Sequence, residues 1–277
     1  MTLGERGPPV VLIHGTNACW QHWIETIFPL AVGRRVIAPD MPGTGSSPLP
    51  DWRITPERYA EWILELLDEL DVRRADLVGH SFGGLVAVAA ARRAPARVRR
   101  LVLVGGTPFT ALRFARSPLA TAISDPGAAA VLAGEVITGL LGAPGFAHDS
   151  LASRRRLRTL ALWYVVDDPA GLDPAVAREL IRGAGKAGLA QTLLAHRSCR
   201  DILEQPLEHP TLALHGRRDR VVPLRDLEAF ACHQPAAQIA VIDGAAHLPM
   251  LEASAQVNAR IKAFLDEADR SEDERQG

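Results

Sequence analysis

The sequence predicts an α/β protein: a doubly wound, mostly parallel sheet interrupted by a helical insertion. Three observations carry this. Short apolar runs alternate with longer amphipathic ones along most of the 277 residues, the pattern of successive βαβ units. Residues 107–208 contain no strand-like run, and they are too many for an ordinary connection. One apolar run, "LVGHSFGGLVAVAAA" at 77–91, is broken by small and polar residues and then resumes as an Ala-rich stretch.

Each element has its own justification. Residues 10–13, 36–38, 76–78, 101–104, 211–214 and 238–242 are short, continuous and rich in Val, Ile and Leu, as strands buried on both faces must be. Between them, residues 20–31, 55–70, 82–94, 224–233 and 252–268 have helical spacing. In the second of these, Tyr59, Trp62, Ile63, Leu66, Leu67 and Leu70 share one face, with acidic residues opposite. Within the insertion, helical patterns fall near 150–166, 174–183 and 186–203. The predicted organisation is a core of 1–106 and 209–269, a helical cap of 107–208, and a charged, frayed tail at 270–277.

Composition narrows the class. Hydrophobic residues make up 47% and charged residues 23%, with a net charge of −1, so no basic field invites nucleic acid or an anionic membrane surface. Cys19, Cys199 and Cys232 are odd in number and lack metal-ligand spacing, so neither a disulfide framework nor a zinc site is expected. No apolar run is long enough for a signal peptide core or a membrane span. A reducing cytoplasm is the expected compartment, a small molecule the expected partner, and no metal or organic cofactor is expected.

The break at 79–83 reads G-x-S-x-G between a strand and a helix, the arrangement that presents a serine on a tight turn. Gly79 and Gly83 let strand and helix approach closely, and the helix N-terminus favours a developing oxyanion. A serine needs a base. Of nine histidines, His14 and His215 are explained by strand ends. His80 is expected to turn away from the site. His22, His148, His196, His209 and His233 read as exposed or satisfied. His247, in "IDGAAHLPMLE", follows the last strand and falls at the carboxyl edge where Ser81 emerges. The orienting acid is Asp219 in "LALHGRRDRVVP", ahead of Asp243 and Asp40. The order Ser81, Asp219, His247 suits this architecture. The oxyanion hole is assigned to the backbone N–H groups of Phe82 and Thr16.

Together "LIHG", "APDMPGTGSS", "GHSFGG", "LHGRRDRVVP" and "GAAHLPMLE" resemble the α/β-hydrolase superfamily over nearly the whole chain. The resemblance implies Ser81 as nucleophile, His247 as general base and then acid, Asp219 as its orienter, and 107–208 as the cap. Relatives with Asp in place of the serine, the haloalkane dehalogenases and epoxide hydrolases, are disfavoured. Only nine residues precede Val10, so the family's first hairpin is expected to be missing or reduced, leaving 35–39 near an edge.

The expected function is a serine hydrolase of a small, largely apolar carboxylic ester or lactone. Trp20, Trp23, Phe109, Phe146, Trp163, Tyr164, Val222 and Leu248 are the candidate pocket residues. One alternative is a carbon–carbon bond hydrolase of ring-opened aromatic diketones, although "HLPMLE" lacks the Trp usual after the histidine in such enzymes. Cofactor-free perhydrolases are a minor option. From other classes come a ligand receptor on the same fold and a non-hydrolytic tailoring enzyme.

Overall fold

In the computed structural model, which describes residues 1–4, 7–141, 147–183 and 202–276, seven strands form one sheet. In chain order they are β1 (Thr2–Leu3), β2 (Pro9–Ile13), β3 (Arg35–Ile37), β4 (Ala75–His80), β5 (Val98–Val104), β6 (Thr211–Gly216) and β7 (Gln238–Ile242). Their spatial order is β1-β3-β2-β4-β5-β6-β7. Every pairing is parallel except β1 with β3. The edge strand β1 is two residues long, and β3, expected near an edge, lies next to it.

Helices cover both faces. On one side α2 (Pro56–Glu69) and α3 (Phe82–Arg93) pack Tyr59, Ile63, Leu67, Leu85 and Val88 against Val11, Ile13, Leu77 and Leu101. α2 starts where local chemistry directs it. The Thr55 side chain accepts the Arg58 N–H at 3.2 Å and Pro56 fills the first turn, so two orphan amide positions are dealt with at once. On the opposite face Trp23, in the turn before α1 (Ile24–Ala31), Ile27 of α1, and Val257 and Ile261 of the last helix pack with Val10, Leu12, Val78 and Val102. The last helix runs Ser254–Gln276; residues 270–276, expected to fray, continue it.

The insertion leaves after β5 and returns into β6. It carries α4 (Phe109–Arg116), α5 (Pro118–Ser124), α6 (Pro126–Leu141), α7 (His148–Ser153), α8 (Arg155–Leu162) and α9 (Pro174–Gly183). No strand occurs in it among the described residues. The pattern at 150–166 is two helices rather than one, because Arg154 is extended (φ −86°, ψ 112°). The pattern at 186–203 falls almost wholly outside the described residues. Ala152, Leu162, Val166, Ala177 and Leu180 join the core cluster of the α1 face, so this part of the insertion is seated on the sheet's framework.

Candidate active site

The adjacent strands β2 and β4 send their connections in opposite directions, β2 to β3 on one side and β4 to β5 on the other. That divergence opens a crevice at the carboxyl ends of the strands. Ser81 sits there at the β4–α3 junction with φ 51° and ψ −120°, a backbone region that side-chain-bearing residues rarely adopt. Its own N–H is held by the Val104 carbonyl at 3.0 Å. Close approach explains the flanking glycines. A Cβ on Gly79 would lie 2.3 Å from the Gly83 carbonyl oxygen, and one on Gly83 would lie 2.3 Å from that of Ile13.

The loop after β6 supplies Asp219, buried, and the loop after β7 supplies His247, also buried. His247 Nδ1 lies 2.8 Å from Asp219 Oδ2. The other carboxylate oxygen, Oδ1, accepts the N–H groups of Val221 at 2.9 Å and Val222 at 2.8 Å. With Oδ1 occupied, Oδ2 faces the imidazole, and donation from Nδ1–H leaves the lone pair on Nε2, the tautomer a base requires. Asp243 instead pairs with Arg217 at the surface. Asp40 accepts the N–H groups of Trp20 and Ser46, each at 2.9 Å, tying neighbouring loops together. Neither competes for His247.

A cavity of about 390 Å³ lies between sheet and insertion. Its floor carries Thr16, Asn17, His22, His80, Ser81 and His247; its walls include Val131, Leu151, Leu162, Trp163, Tyr164, Leu180 and Leu248. Of the expected pocket residues, Trp163, Tyr164 and Leu248 line it. Trp20 and Trp23 pack with the α1-face core. Val222 packs with Leu132 and Val221. Phe109 lines a separate cleft with Arg113 and Arg225. Phe146 lies outside the described residues. Thr16 lines the cavity, and Phe82 opens α3 directly after Ser81.

Two histidines depart from expectation. His80 does not turn away. Its Nε2–H donates to the His247 carbonyl at 2.8 Å, with the rings 4.7 Å apart. Burial, then the neighbouring His247 and His22, hold its pKa well below the usual range. His22 is neither exposed nor satisfied: it is 6% exposed and neither ring nitrogen has a hydrogen-bond partner. Burial first, then His14 and His247, lower its pKa to about 3. The only sequence signal for either was adjacency, one to Ser81 and one to Trp23. His14 behaves as a strand-end residue should. Its Nε2 accepts the Met41 N–H at 3.1 Å and its Nδ1–H donates to the Gly15 carbonyl at 2.9 Å.

Fold and site define the class, and the chain belongs to the alpha/beta hydrolase fold family, whose model matches residues 8–254. Among individual proteins, it is 32% identical over 277 residues to a 2-hydroxymuconate semialdehyde hydrolase of Pseudomonas sp. strain CF600, covering 95% of this chain and 88% of that one. It is 34% identical over 275 residues to a pimeloyl-(acyl-carrier protein) methyl ester esterase of Methylococcus capsulatus, covering 94% and 95%. It is also 30% identical over 273 residues to a dihydrolipoyllysine-residue acetyltransferase component of an acetoin cleaving system of Pseudomonas putida. There it covers 95% of this chain but spans only 64% of that longer protein. Among solved structures, a thermophilic esterase from Thermogutta terrifontis superposes with a TM-score of 0.73 at 26% identity, covering 96% of this chain and 92% of that one. Among the described residues, no helix is long and apolar enough to cross a membrane.

Proposed function

We propose that this hydrolase cleaves a small, neutral, largely apolar carboxylic ester or lactone through an acyl-enzyme on Ser81. The observation that carries the reading is the cavity. Ser81 and the Asp219-oriented His247 lie at its floor under apolar walls, and no Lys or Arg is among the described lining residues.

In the proposed mechanism the ester carbonyl rests over Ser81. His247 Nε2 takes the Oγ proton as Oγ attacks the carbonyl carbon, and Asp219 stabilises the imidazolium that forms. The negative charge on the tetrahedral oxygen is held by the N–H groups of Phe82 and Thr16, with the α3 dipole behind them. His247 then returns the proton to the leaving alkoxide. Water, deprotonated by the same imidazole, attacks the acyl-enzyme and releases the acid. The neighbouring histidines suit this cycle. His80 and His22, held neutral by burial, put no competing positive charge beside the imidazolium.

Similarity to 2-hydroxymuconate semialdehyde hydrolase favours a second reading, carbon–carbon cleavage of a ring-opened diketone. A muconate carries a carboxylate, however, and an anion buried in an apolar cavity needs a cationic or multiply hydrogen-bonded partner. The experiment compares kcat/KM for neutral p-nitrophenyl esters and a γ- or δ-lactone with that for a ring-opened 2-hydroxy-6-oxo-dienoate. The ester reading expects the neutral substrates to win by about a hundredfold or more, the scale on which an unpaired buried charge is penalised. Preference for the dienoate would replace it with the second reading.

A further inference from the structure

We infer that Glu252 is a positioning residue that couples the cap wall of the cavity to the catalytic histidine; the inference rests on the ester-hydrolase reading above. Glu252 ends the short helix Pro249–Glu252 that follows His247. Its two carboxylate oxygens serve two different parts of the molecule. Oε2 accepts the N–H of Ala246, the residue before His247, at 2.9 Å. Oε1 accepts the N–H of Asp167, in the stretch that follows α8 in the cap. A third bond spans the same gap, from the His247 N–H to the Val165 carbonyl at 3.1 Å.

The other side of that cap stretch is tied to the loop that bears Asp219. Arg220 donates to the Trp163 carbonyl at 2.7 Å and to the Val166 carbonyl at 3.3 Å. Arg218 pairs with Asp167 at 2.7 Å. Residues 163–167 are therefore clamped between the acid loop and the histidine loop, and Trp163, Tyr164 and Val165 from the same stretch face the cavity. A substrate pressing on this wall displaces the segment whose Val165 carbonyl holds the His247 N–H and whose Asp167 amide is tied through Glu252 to Ala246, the residue before His247. Glu252 suits the task because a carboxylate can accept both N–H groups, one on each oxygen. Burial raises its pKa, while the Asp167 and Ala246 amides lower it and so favour the ionised form. A glutamine would keep the shape but turn an NH₂ toward one of the two donors.

The test measures kcat and KM for p-nitrophenyl acetate and p-nitrophenyl hexanoate with the wild type, Ser81→Ala, Glu252→Gln and Arg220→Met. Turnover by the wild type and its loss in Ser81→Ala tests the ester reading separately; failure there overturns that reading, whatever Glu252 does. Given turnover, the coupling predicts a split. In Glu252→Gln the hexanoate-to-acetate ratio of kcat falls about fivefold, the scale of a modest coupling between neighbouring segments, while the corresponding ratio of KM stays within about twofold. Arg220→Met, which releases the opposite side of the segment, is expected to change the ratio in the same sense, and it keeps the test alive should Glu252→Gln fail to fold. A kcat ratio equal to that of the wild type in folded variants, or an equal loss of kcat on both esters, would overturn the coupling and leave Glu252 a structural tie only.

Discussion

Ser81 occupies a backbone conformation that costs about 1–3 kcal/mol for a residue with a side chain. Its neighbours hold it there, through the Val104 carbonyl on its N–H and the crowded glycines on either side. Two expectations follow from the same angles. Ser81→Gly relieves the strain, so its Tm should lie above that of the wild type although it cannot form an acyl-enzyme; a lower Tm measured by calorimetry would refute the strain argument. Gly83→Ala should destabilise by at least about 3 kcal/mol, since its Cβ meets backbone that cannot move aside, and a near-normal denaturation midpoint would contradict that. The positions of Ser81, Asp219 and His247 at the strand ends were legible in the sequence because each follows an apolar run, with small residues marking the turn. His22 and His80 were not, because histidine adjacency says nothing about burial. Their burial has a measurable cost. With folded-state pKa values held below the unfolded value of about 6.5, they bind fewer protons than the unfolded chain does. Stability is then full above about pH 6.5 and falls on acidification below it, by about 1.4 kcal/mol per pH unit for each such histidine. Asp226 and Glu252, whose pKa values burial raises, act in the opposite sense just above the usual carboxylate range and soften the decline. His22→Leu should lose stability less steeply than the wild type between pH 6.5 and 5; equal slopes in thermal melts would show that His22 is not charged on unfolding.

At the scale of elements, six strands were legible as short apolar runs. β2, β4, β5 and β6 are buried along nearly their whole length and so show no polar alternation, whereas β7, at the sheet edge, keeps an apolar run although Gln238 and Ile239 are exposed. β1 was not, because two residues carry no period. The cap was legible as a helical region but not as individual helices. Pro118 and Pro126 each begin a new helix, so 109–124 is cut into helices of 8 and 7 residues, shorter than the window in which periodicity can be read. Arg158 shows why 150–166 divides. It is buried, and its guanidinium donates to the carbonyls of Ala152, Pro169 and Ala170, each at 2.6 Å. A charged residue at that position reads as a surface residue, yet here it closes the turn between α7 and α8. Removing it should therefore matter more than its charge suggests. Arg158→Ala leaves three carbonyls to find other partners and is expected to lower Tm by several degrees and loosen α8, the helix leading into Trp163. Trp163, half exposed at the cavity wall, is the corresponding specificity handle. Trp163→Ala should change the ratio of kcat/KM between acetate and bulkier esters while leaving Tm within about 2 °C. The same ratio as the wild type across a chain-length series would show that Trp163 does not shape the pocket.

For the whole molecule, the topology does what no single element can. Strand order carries the connections after β2, β4, β6 and β7 to one edge of the sheet, and the insertion after β5 returns over that edge to form the cavity roof. The fold, and the meeting of His247 with Asp219 near Ser81, could be read in advance because they depend on where strands end. The pocket could not, because it depends on how cap helices pack. Of the seven expected lining residues that are described, three face the cavity, and the large aromatics Trp20 and Trp23 went to the core instead. The central claim is that one serine in this cavity is the nucleophile of an ester hydrolase. The most direct measurement treats the wild type and Ser81→Ala with a fluorophosphonate, maps the adduct by peptide mass spectrometry, and follows p-nitrophenyl ester turnover in the same samples. The account predicts a single adduct on the peptide containing Ser81, with turnover lost in step with labelling. It also predicts no adduct in folded Ser81→Ala and turnover there at least about a thousandfold lower. An adduct on another residue, or substantial turnover by Ser81→Ala, would contradict it.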